Sequence, residues 1–337
     1  LAITYCYYQG AYKSAFGFTL LLATQSAIYS PAKYGYIREC LKKSGLSIGN
    51  AYTSAVTLTS ILLGTVFFSY LFELYLGVNQ YSTPEEILLH IAPVGWVLVG
   101  LSMVEFLATF GVRFYATQFS EVKLSVQKLI TLHYLTNNIR VIKGNQIIWF
   151  SIWGTAIFWG MSQNLVAVIP ALAKVNLGVT SPLMVNAMLA LSVIGIMVGA
   201  YVSARKSVNS VKVNNIYTGS TTITVCAILV PVVATLSFIP NSTALIIVST
   251  LILLFGVGAG MMLVPLNALI QAHSAKDGLG SVLAGKNWIQ NMAMIGLLLL
   301  TVLLARSNVN SVYILYLNAL IAVVGFTVVL RRLKAIL

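Results

Sequence analysis

Charged residues are scarce in this sequence, and acidic residues are the scarcest of them. Only 8% of the 337 residues are charged, with 20 Lys and Arg against 7 Asp and Glu, whereas 58% are hydrophobic. A soluble globular protein has about 25% charged residues, so this composition excludes one. The net charge of +13 would suggest nucleic-acid binding in a soluble protein. Membrane topology explains it here, and we predict no nucleic-acid partner.

Residues that bind metals or perform acid–base catalysis are equally rare. Cys6, Cys40 and Cys226 are scattered without metal-ligand spacing, so we expect no disulfide framework, metal or cofactor. Lipid acyltransferases use a His followed five positions later by Asp, but none of the three His residues has Asp at that offset. No Ser-centred nucleophile elbow occurs either. We therefore predict that these residues are not an enzyme, while an acyltransferase fused beyond Leu337 stays open.

Long hydrophobic runs dominate the sequence instead. Each approximates the roughly 20 residues that cross about 30 Å of hydrocarbon. They lie at 14–32, 48–72, 90–112, 146–171, 182–203, 217–238, 243–266, 287–305 and 311–330. We predict an all-α membrane protein with nine full spans.

The positive charges fall on every second loop between these spans. Of the 20 Lys and Arg residues, 17 lie on one side and only Lys13, Lys174 and Arg306 on the other. Because cytoplasmic loops carry an excess of Lys and Arg, the first side is predicted to be cytoplasmic.

The predicted spans divide unequally along the chain. Residues 1–8 resemble the tail of a further span, three spans follow, and 146–337 holds six. Equal halves would require two more spans and most of a third upstream of Leu1. We predict an incomplete N-terminal half at 1–113, an amphipathic cytoplasmic linker at 114–145 and a C-terminal six-helix half at 146–337.

Two prolines suggest that the halves are repeats. Pro31 and Pro265 are each predicted near the cytoplasmic end of a span, and a Gly-led span begins 18 or 20 residues later. The two copies run in the same sense, six spans apart. Parallel six-span repeats are the architecture of the major facilitator superfamily, in which substrate binds near the midplane between the halves. Coincidence is the alternative, since proline is common in membrane helices.

Four motifs resemble those of bacterial lysophospholipid transporters of this superfamily. Residues 30–35 read Ser-Pro-Ala-Lys-Tyr-Gly, which resembles the end of the family's fourth helix. Residues 158–174 contain Phe-Trp-Gly, Ser-Gln and Ile-Pro-Ala-Leu-Ala-Lys, as in the seventh helix, above all in members fused to an acyltransferase. Residues 194–199 and 256–268 resemble the eighth and tenth helices. The resemblance covers essentially the whole chain.

The resemblance implies a helical bundle of this superfamily, N-terminally truncated, in a bacterial cytoplasmic membrane. It further implies movement of lysophospholipid from the outer to the inner leaflet by alternating access. The expected partners are membrane lipids and an acyltransferase/acyl carrier protein synthetase, separate or fused. A proton-coupled exporter of amphipathic drugs on the same fold is the alternative, because fold does not fix substrate.

The sequence departs from this family at two places. Gln290 and Asn291 match a Gln-Asn-x-x-Glu pattern of the eleventh helix, but Met294 replaces the acid. The family's seventh helix often has an arginine where this chain has only apolar residues from Leu165 to Ile169. A headgroup must therefore be bound differently here.

Polar residues within the spans are the candidates for substrate binding, since unpaired polar groups are costly in hydrocarbon. By resemblance, the first, fourth, seventh and tenth helices line the cavity, which favours Gln163, Asn164 and Asn267. The full predicted set is Lys33, Tyr34, Gln163, Asn164, Asn267, Gln290 and Asn291. For the amides the alternative is interhelical hydrogen bonding. For Lys33 it is a topology anchor, against contact with a phosphate.

Glu105 is the only acid well inside a predicted span. It could carry a coupling proton, or it could pair with a cytoplasmic cation such as Arg113 or Lys128. The run of Gly256, Gly258 and Gly260 follows no strand, so we expect close helix packing rather than a phosphate-binding loop.

Overall fold

The structure is a computed structural model. It describes residues 1–77, 83–112, 125, 127–128, 131–206, 213–275 and 279–337, without the side chains of 27–55, 58 and 204–206. All regular secondary structure in the described residues is helical. The chain divides into two compact units, Leu1–Lys123 and Leu124–Leu337. In the described part of the chain seven helices are long and apolar enough to cross a membrane, or eight if one bent pair of helices counts as a single span. The protein is therefore a multi-pass membrane protein.

The N-terminal unit contains four described helices. They are α1 (Ala2–Tyr8), α2 (Tyr12–Leu76), α3 (Pro84–Ile91) and α4 (Val94–Thr109). The hydroxyl of Thr4 in α1 donates a hydrogen bond to the carbonyl oxygen of Gly95 in α4, at 3.1 Å. A Cβ atom on Gly95 would lie 2.7 Å from Thr4 Cγ2, so only glycine permits this approach.

Helix α2 corrects the predicted loop between the first two spans. The backbone is helical from Tyr12 to Leu76 over 65 residues, without the break expected after Pro31. The segment that follows is rich in Lys, Arg, Glu and Leu, which favour helix more than most residues do. At 1.5 Å per residue the helix is about 98 Å long, roughly three times the hydrocarbon thickness. Within it, Thr59–Leu76 is long and apolar enough to cross a membrane.

The third predicted span is bent rather than straight. Helices α3 and α4 meet at Ala92 and Pro93 with an angle of 56°. Proline has no N–H for the helical ladder, which accounts for a break at this point. Pro84 begins α3, with the Thr83 side chain accepting a hydrogen bond from the N–H of Glu86. Proline is well suited to the first turn of a helix.

The C-terminal unit contains six described helices long and apolar enough to cross a membrane, where the sequence predicts six spans within 146–337. After a short helix α5 (His133–Lys143), the spans are α6 (Gln146–Asn176), α7 (Pro182–Lys206), α8 (Val213–Thr235), α9 (Asn241–His273), α10 (Leu279–Arg306) and α11 (Ser311–Ile336). Helix α6 contacts α9, α10 and α11, and its inward side chains, among them Phe158, Met161 and Leu172, are almost fully buried. It forms the centre of this unit.

Pro265 does not end its span as the sequence predicted. Helix α9 continues past it to His273, and Pro170 and Pro231 also lie inside helices. Neighbouring helices and local backbone adjustments satisfy the groups that a proline frees within a membrane helix. Pro31 and Pro265 therefore both lie inside helices, and neither marks the end of one.

Helices α7 and α9 cross at four glycines, which confirms the predicted role of the glycine run. A Cβ atom on Gly195 would collide with the carbonyl oxygen of Leu253, and one on Gly260 with that of Ile196. Gly199 and Gly256 face equally close backbone. Small residues allow membrane helices to approach closely where burial from water supplies no driving force.

Helix α5 occupies the second part of the predicted linker. Ile142 is fully buried, whereas Arg140 and Lys143 are exposed, so the helix is amphipathic. Ile142 packs against Gly285 of α10, where a Cβ atom would overlap its Cδ1. The boundary between the two units lies inside 114–145, and most of residues 113–130 lie outside the described part of the chain.

Candidate functional site

Four polar side chains lie together on the first half of α10. Lys286 and Gln290 are four residues apart, as are Asn287 and Asn291, so the four share one side of the helix. We call them the polar strip. At 1.5 Å per residue, Lys286 is about 10 Å from the start of the helix and Asn291 about 18 Å. The polar strip therefore reaches close to the middle of a span.

The four members of the polar strip differ in burial. Asn287 and Asn291 are exposed on the surface of the unit, and Lys286 is half-buried. Gln290 is 8% exposed, and its Nε2 has no hydrogen-bond partner among the described residues. An exposed amide near the middle of a membrane span is costly against lipid, so such residues usually face a wet cavity or the protein interior.

The rest of α10 is apolar. From Met292 to Ala305 its only polar residue is Thr301, and Met292, Ile295, Leu299 and Leu303 are exposed. Along the ridge of exposed residues spaced four apart on α10, the side chains are polar at Asn287 and Asn291 and apolar at Ile295, Leu299 and Leu303. An amphiphile with a polar headgroup and an acyl chain has the same division.

Lys286 is bonded to an amide of a neighbouring helix. Its Nζ donates a hydrogen bond to Oδ1 of Asn267 in α9, at 2.6 Å. Every other Lys or Arg whose side chain the structure describes is exposed. The unit Leu124–Leu337 contains one acidic residue, Asp277, which lies outside the described residues. No acid accompanies Lys286 in the described part of this unit.

A second polar contact joins α10 to α6. Thr301 donates a hydrogen bond to Oδ1 of Asn164, which is 1% exposed. Asn318 of α11, also buried, donates to the carbonyl oxygen of Met161 at 3.2 Å. These contacts fix the helices around α6, as interhelical hydrogen bonds do in membranes.

Gln163 and Asn164 are adjacent but lie on different sides of α6. Gln163 is half-buried, on the same stripe as the exposed Trp159 and Val166, whereas Asn164 points into the packed interior toward Thr301. Gln163 can therefore reach a ligand at the surface of the unit, and Asn164 cannot do so without breaking its contact.

We expect substitutions of these two residues to have different effects. Gln163→Leu should reduce transport severalfold without changing thermal stability. Asn164→Leu should lower stability by about 0.6 to 1.7 kcal/mol, the range of interhelical hydrogen bonds in membranes, and reduce transport only as far as folded protein is lost. Thermal melting of the purified variants beside uptake per folded molecule tests this. The assignment is wrong if the two effects are exchanged.

A shallow cavity of about 330 Å³ lies where α6 ends and α7 begins. Its lining residues are Pro170, Lys174, Val179, Thr180, Pro182, Val185 and Asn186. Lys174 is exposed at this end of α6, whereas Lys286 follows Gly285 of α10, which contacts Ile142 of α5 just before α6 begins. Lys174 and Lys286 therefore lie near opposite ends of α6.

The positions of the other predicted site residues say less about a role in substrate binding. Lys33 and Tyr34 lie on α2, but their side chains are outside the described set. Glu105 is exposed on α4 in the N-terminal unit. Asn267 is not a free amide, because it accepts the hydrogen bond of Lys286.

The sequence did not predict the roles of Lys286 and Thr301. The charge pattern of the loops treats Lys286 only as one of the cytoplasmic cations, although its spacing of four residues from Gln290 places the two on one side of a helix. Nothing in the sequence indicated that Thr301 pairs with Asn164, since the two are 137 residues apart.

Comparisons with known proteins show the family of this chain. The family model of the Major Facilitator Superfamily matches residues 1–296. The lysophospholipid transporter LplT of Escherichia fergusonii is 29% identical over 295 residues, covering 85% of this chain and 67% of the relative. Proteins of the same name from Escherichia coli and Shigella boydii are 29% identical over 293 residues, covering 83% of this chain and 64% of the relative.

The chain spans about two thirds of the length of these curated relatives. No solved structure matches it. The family model covers most of the chain and agrees with the membrane-spanning helices, so the chain belongs to the Major Facilitator Superfamily and is a membrane transporter.

Proposed function

We propose that this protein moves lysophospholipids from the outer to the inner leaflet of a bacterial cytoplasmic membrane, where an acyltransferase can re-acylate them. The observation that carries the proposal is the divided surface of α10, polar from Lys286 to Asn291 and apolar from Met292 onward. The similarity to transporters named for lysophospholipids and the four sequence motifs support the same substrate class.

The division suits the two energetic problems of moving this substrate. A phosphate that leaves water needs a cation or several hydrogen-bond donors, because an unpaired charge in hydrocarbon costs far more than a neutral polar group. An acyl chain has no such requirement and can stay against lipid or apolar helix faces. We propose that the headgroup follows the polar strip while the chain lies along Ile295, Leu299 and Leu303.

Alternating access would supply the movement, with the two halves exposing the substrate path to one leaflet and then the other. Gln163, half-buried on the same stripe of α6 as the exposed Trp159, is proposed as a further headgroup contact. Lys33 and Tyr34 are proposed as contacts of the N-terminal half on the strength of their motif alone.

Coupling of transport to a proton gradient would require a residue that can carry a proton. Glu105, exposed on the membrane helix α4, is our candidate for carrying a coupling proton. The alternative is pairing with a cytoplasmic cation. Of the two cations considered, Arg113 lies outside the described residues and Lys128 belongs to the other unit.

Uptake in cells tests the proposed function. The full-length protein, expressed in a bacterial strain that lacks its own lysophospholipid transporter but keeps its acyltransferase, should restore conversion of labelled lysophosphatidylethanolamine to the diacyl lipid. The same strain with an empty vector should not convert it. Resistance to amphipathic drugs without any restored conversion would instead assign the protein to the drug exporters.

A further inference from the structure

The charge of Lys286 is not balanced within the described part of its unit. Its ammonium is half-buried and touches one neutral acceptor, Oδ1 of Asn267. An ammonium has three N–H donors, so two are left for another partner. Withdrawing a cation from water is costly unless a charge or several acceptors compensate it.

A lysine that only anchors the topology of a membrane protein does not need a half-buried, hydrogen-bonded position. Such a cation acts by facing water and anionic headgroups, as the exposed Arg331, Arg332 and Lys334 do at the end of α11. Lys286 is instead directed toward α9 and bonded there. Three further amide side chains, those of Asn287, Gln290 and Asn291, lie within five residues of it on the same side of α10.

The donors around Lys286 specify the kind of ligand. Gln290, one turn along α10, has a buried Nε2 without a partner in the described residues, and the amides of Asn287 and Asn291 are exposed beside it. Phosphate oxygens are strong acceptors and form short, charge-assisted bonds with ammonium groups. A phosphodiester would accept from Lys286 and Gln290 together, whereas a cationic drug would be repelled.

We propose that Lys286 binds the phosphodiester of the transported lipid, with Gln290 as a second donor and Asn267 as the residue that positions the ammonium. This inference rests on the proposed function and deepens it. It also supplies a cation to a chain whose α6 has only apolar residues from Leu165 to Ile169. The acyl chain of the same molecule would then extend along the apolar second half of α10.

Two ligands that differ in charge test the site. The probes are lysophosphatidylethanolamine and an uncharged monoacylglycerol with the same acyl chain, and the dissociation constants are measured with the purified full-length protein in nanodiscs. Lys286→Met should weaken binding of the phospholipid roughly 10- to 100-fold, the loss expected for a hydrogen bond to a charged group. Monoacylglycerol binding should change less than about twofold, because that ligand has no phosphate to lose the contact.

Three further variants separate charge from packing. Lys286→Arg keeps the charge and should keep most of the phospholipid affinity. Asn267→Asp places a carboxylate on the ammonium and should weaken phospholipid binding while leaving monoacylglycerol binding unchanged, which a purely structural pair would not do. Arg306→Gln removes an exposed charge from the opposite end of the same helix and should have no effect.

Several results would overturn the site. Equal phospholipid affinities of Lys286→Met and the wild type would do so, as would equal weakening of both ligands. The same loss in Asp277→Asn would identify Lys286 as the partner of that acid instead. If phospholipid transport proceeds while Lys286→Met binds normally, the site fails and the proposed function stands. If the charge-dependent binding holds without any transport, the function fails and the site stands. A wild type that neither binds nor transports the phospholipid overturns both.

Discussion

Gly260→Val should prevent the C-terminal unit from folding correctly. A Cβ atom at this position would collide with the Ile196 carbonyl oxygen and would lie within 2.8 Å of the Gly199 carbonyl carbon. These atoms belong to the backbone of α7 and cannot rotate away, so the two helices would have to separate. Overpacking in a well-packed core costs about 1 to 3 kcal/mol, occasionally more, and a collision between backbones belongs at the upper end.

A matched control is available on α10. Gly296 also lies in an apolar span, but a Cβ atom there would meet nothing within 4 Å. Gly296→Val should therefore purify as a single species with nearly wild-type thermal stability, while Gly260→Val should aggregate or melt at a much lower temperature. Size-exclusion chromatography and thermal melting in detergent measure both. Similar behaviour of the two variants would show that the crossing of α7 and α9 is wrong.

Gln290→Leu should stabilise the protein and yet reduce its transport. The side chain is 8% exposed with an unpartnered Nε2, and a buried polar group without a hydrogen bond costs about 1 to 3 kcal/mol. Leucine has a similar volume and removes that cost. If Gln290 donates to the substrate phosphate, the same change removes a binding contact and should reduce transport about tenfold or more.

Higher stability together with lower transport distinguishes the loss of a substrate contact from simple damage to the fold. Thermal stability and uptake rate are measured on the same preparations of wild type, Gln290→Leu and Gln290→Glu. The acidic variant should also reduce transport of an anionic group, because like charges repel. A Gln290→Leu protein that is less stable than the wild type, or that transports at the wild-type rate, would remove Gln290 from the substrate path.

The sequence predicted the six spans of the C-terminal unit because the length of each apolar run can be read directly along the chain. It also predicted the close packing at Gly256, Gly258 and Gly260, since small residues in an apolar run have few other uses. It was wrong where a proline or a basic segment was expected to end a helix, as at Pro265 and after Pro31. Proline destabilises a membrane helix less than its effect on an isolated helix suggests, because neighbouring groups compensate for the lost backbone hydrogen bond.

The candidate site was only partly predictable for a different reason. Which polar residues lie within spans can be read from the sequence, and this identified Gln163, Asn164, Asn267 and Gln290. Whether each one faces a neighbouring helix or an open surface depends on how helices far apart in the chain are rotated against each other. That rotation decides that Asn164 meets Thr301 and Asn267 meets Lys286, and no local pattern encodes it.

The most direct test of the proposed function is lipid movement by the purified full-length protein in liposomes. Labelled lysophosphatidylethanolamine is added to the outer leaflet, and the fraction that albumin can no longer extract is followed with time. We expect protein-dependent protection of the label that unlabelled lysophospholipid suppresses and cationic amphipathic drugs do not. Protection equal to that in protein-free liposomes, or suppression by the drugs alone, would contradict the assignment of lysophospholipid as the substrate.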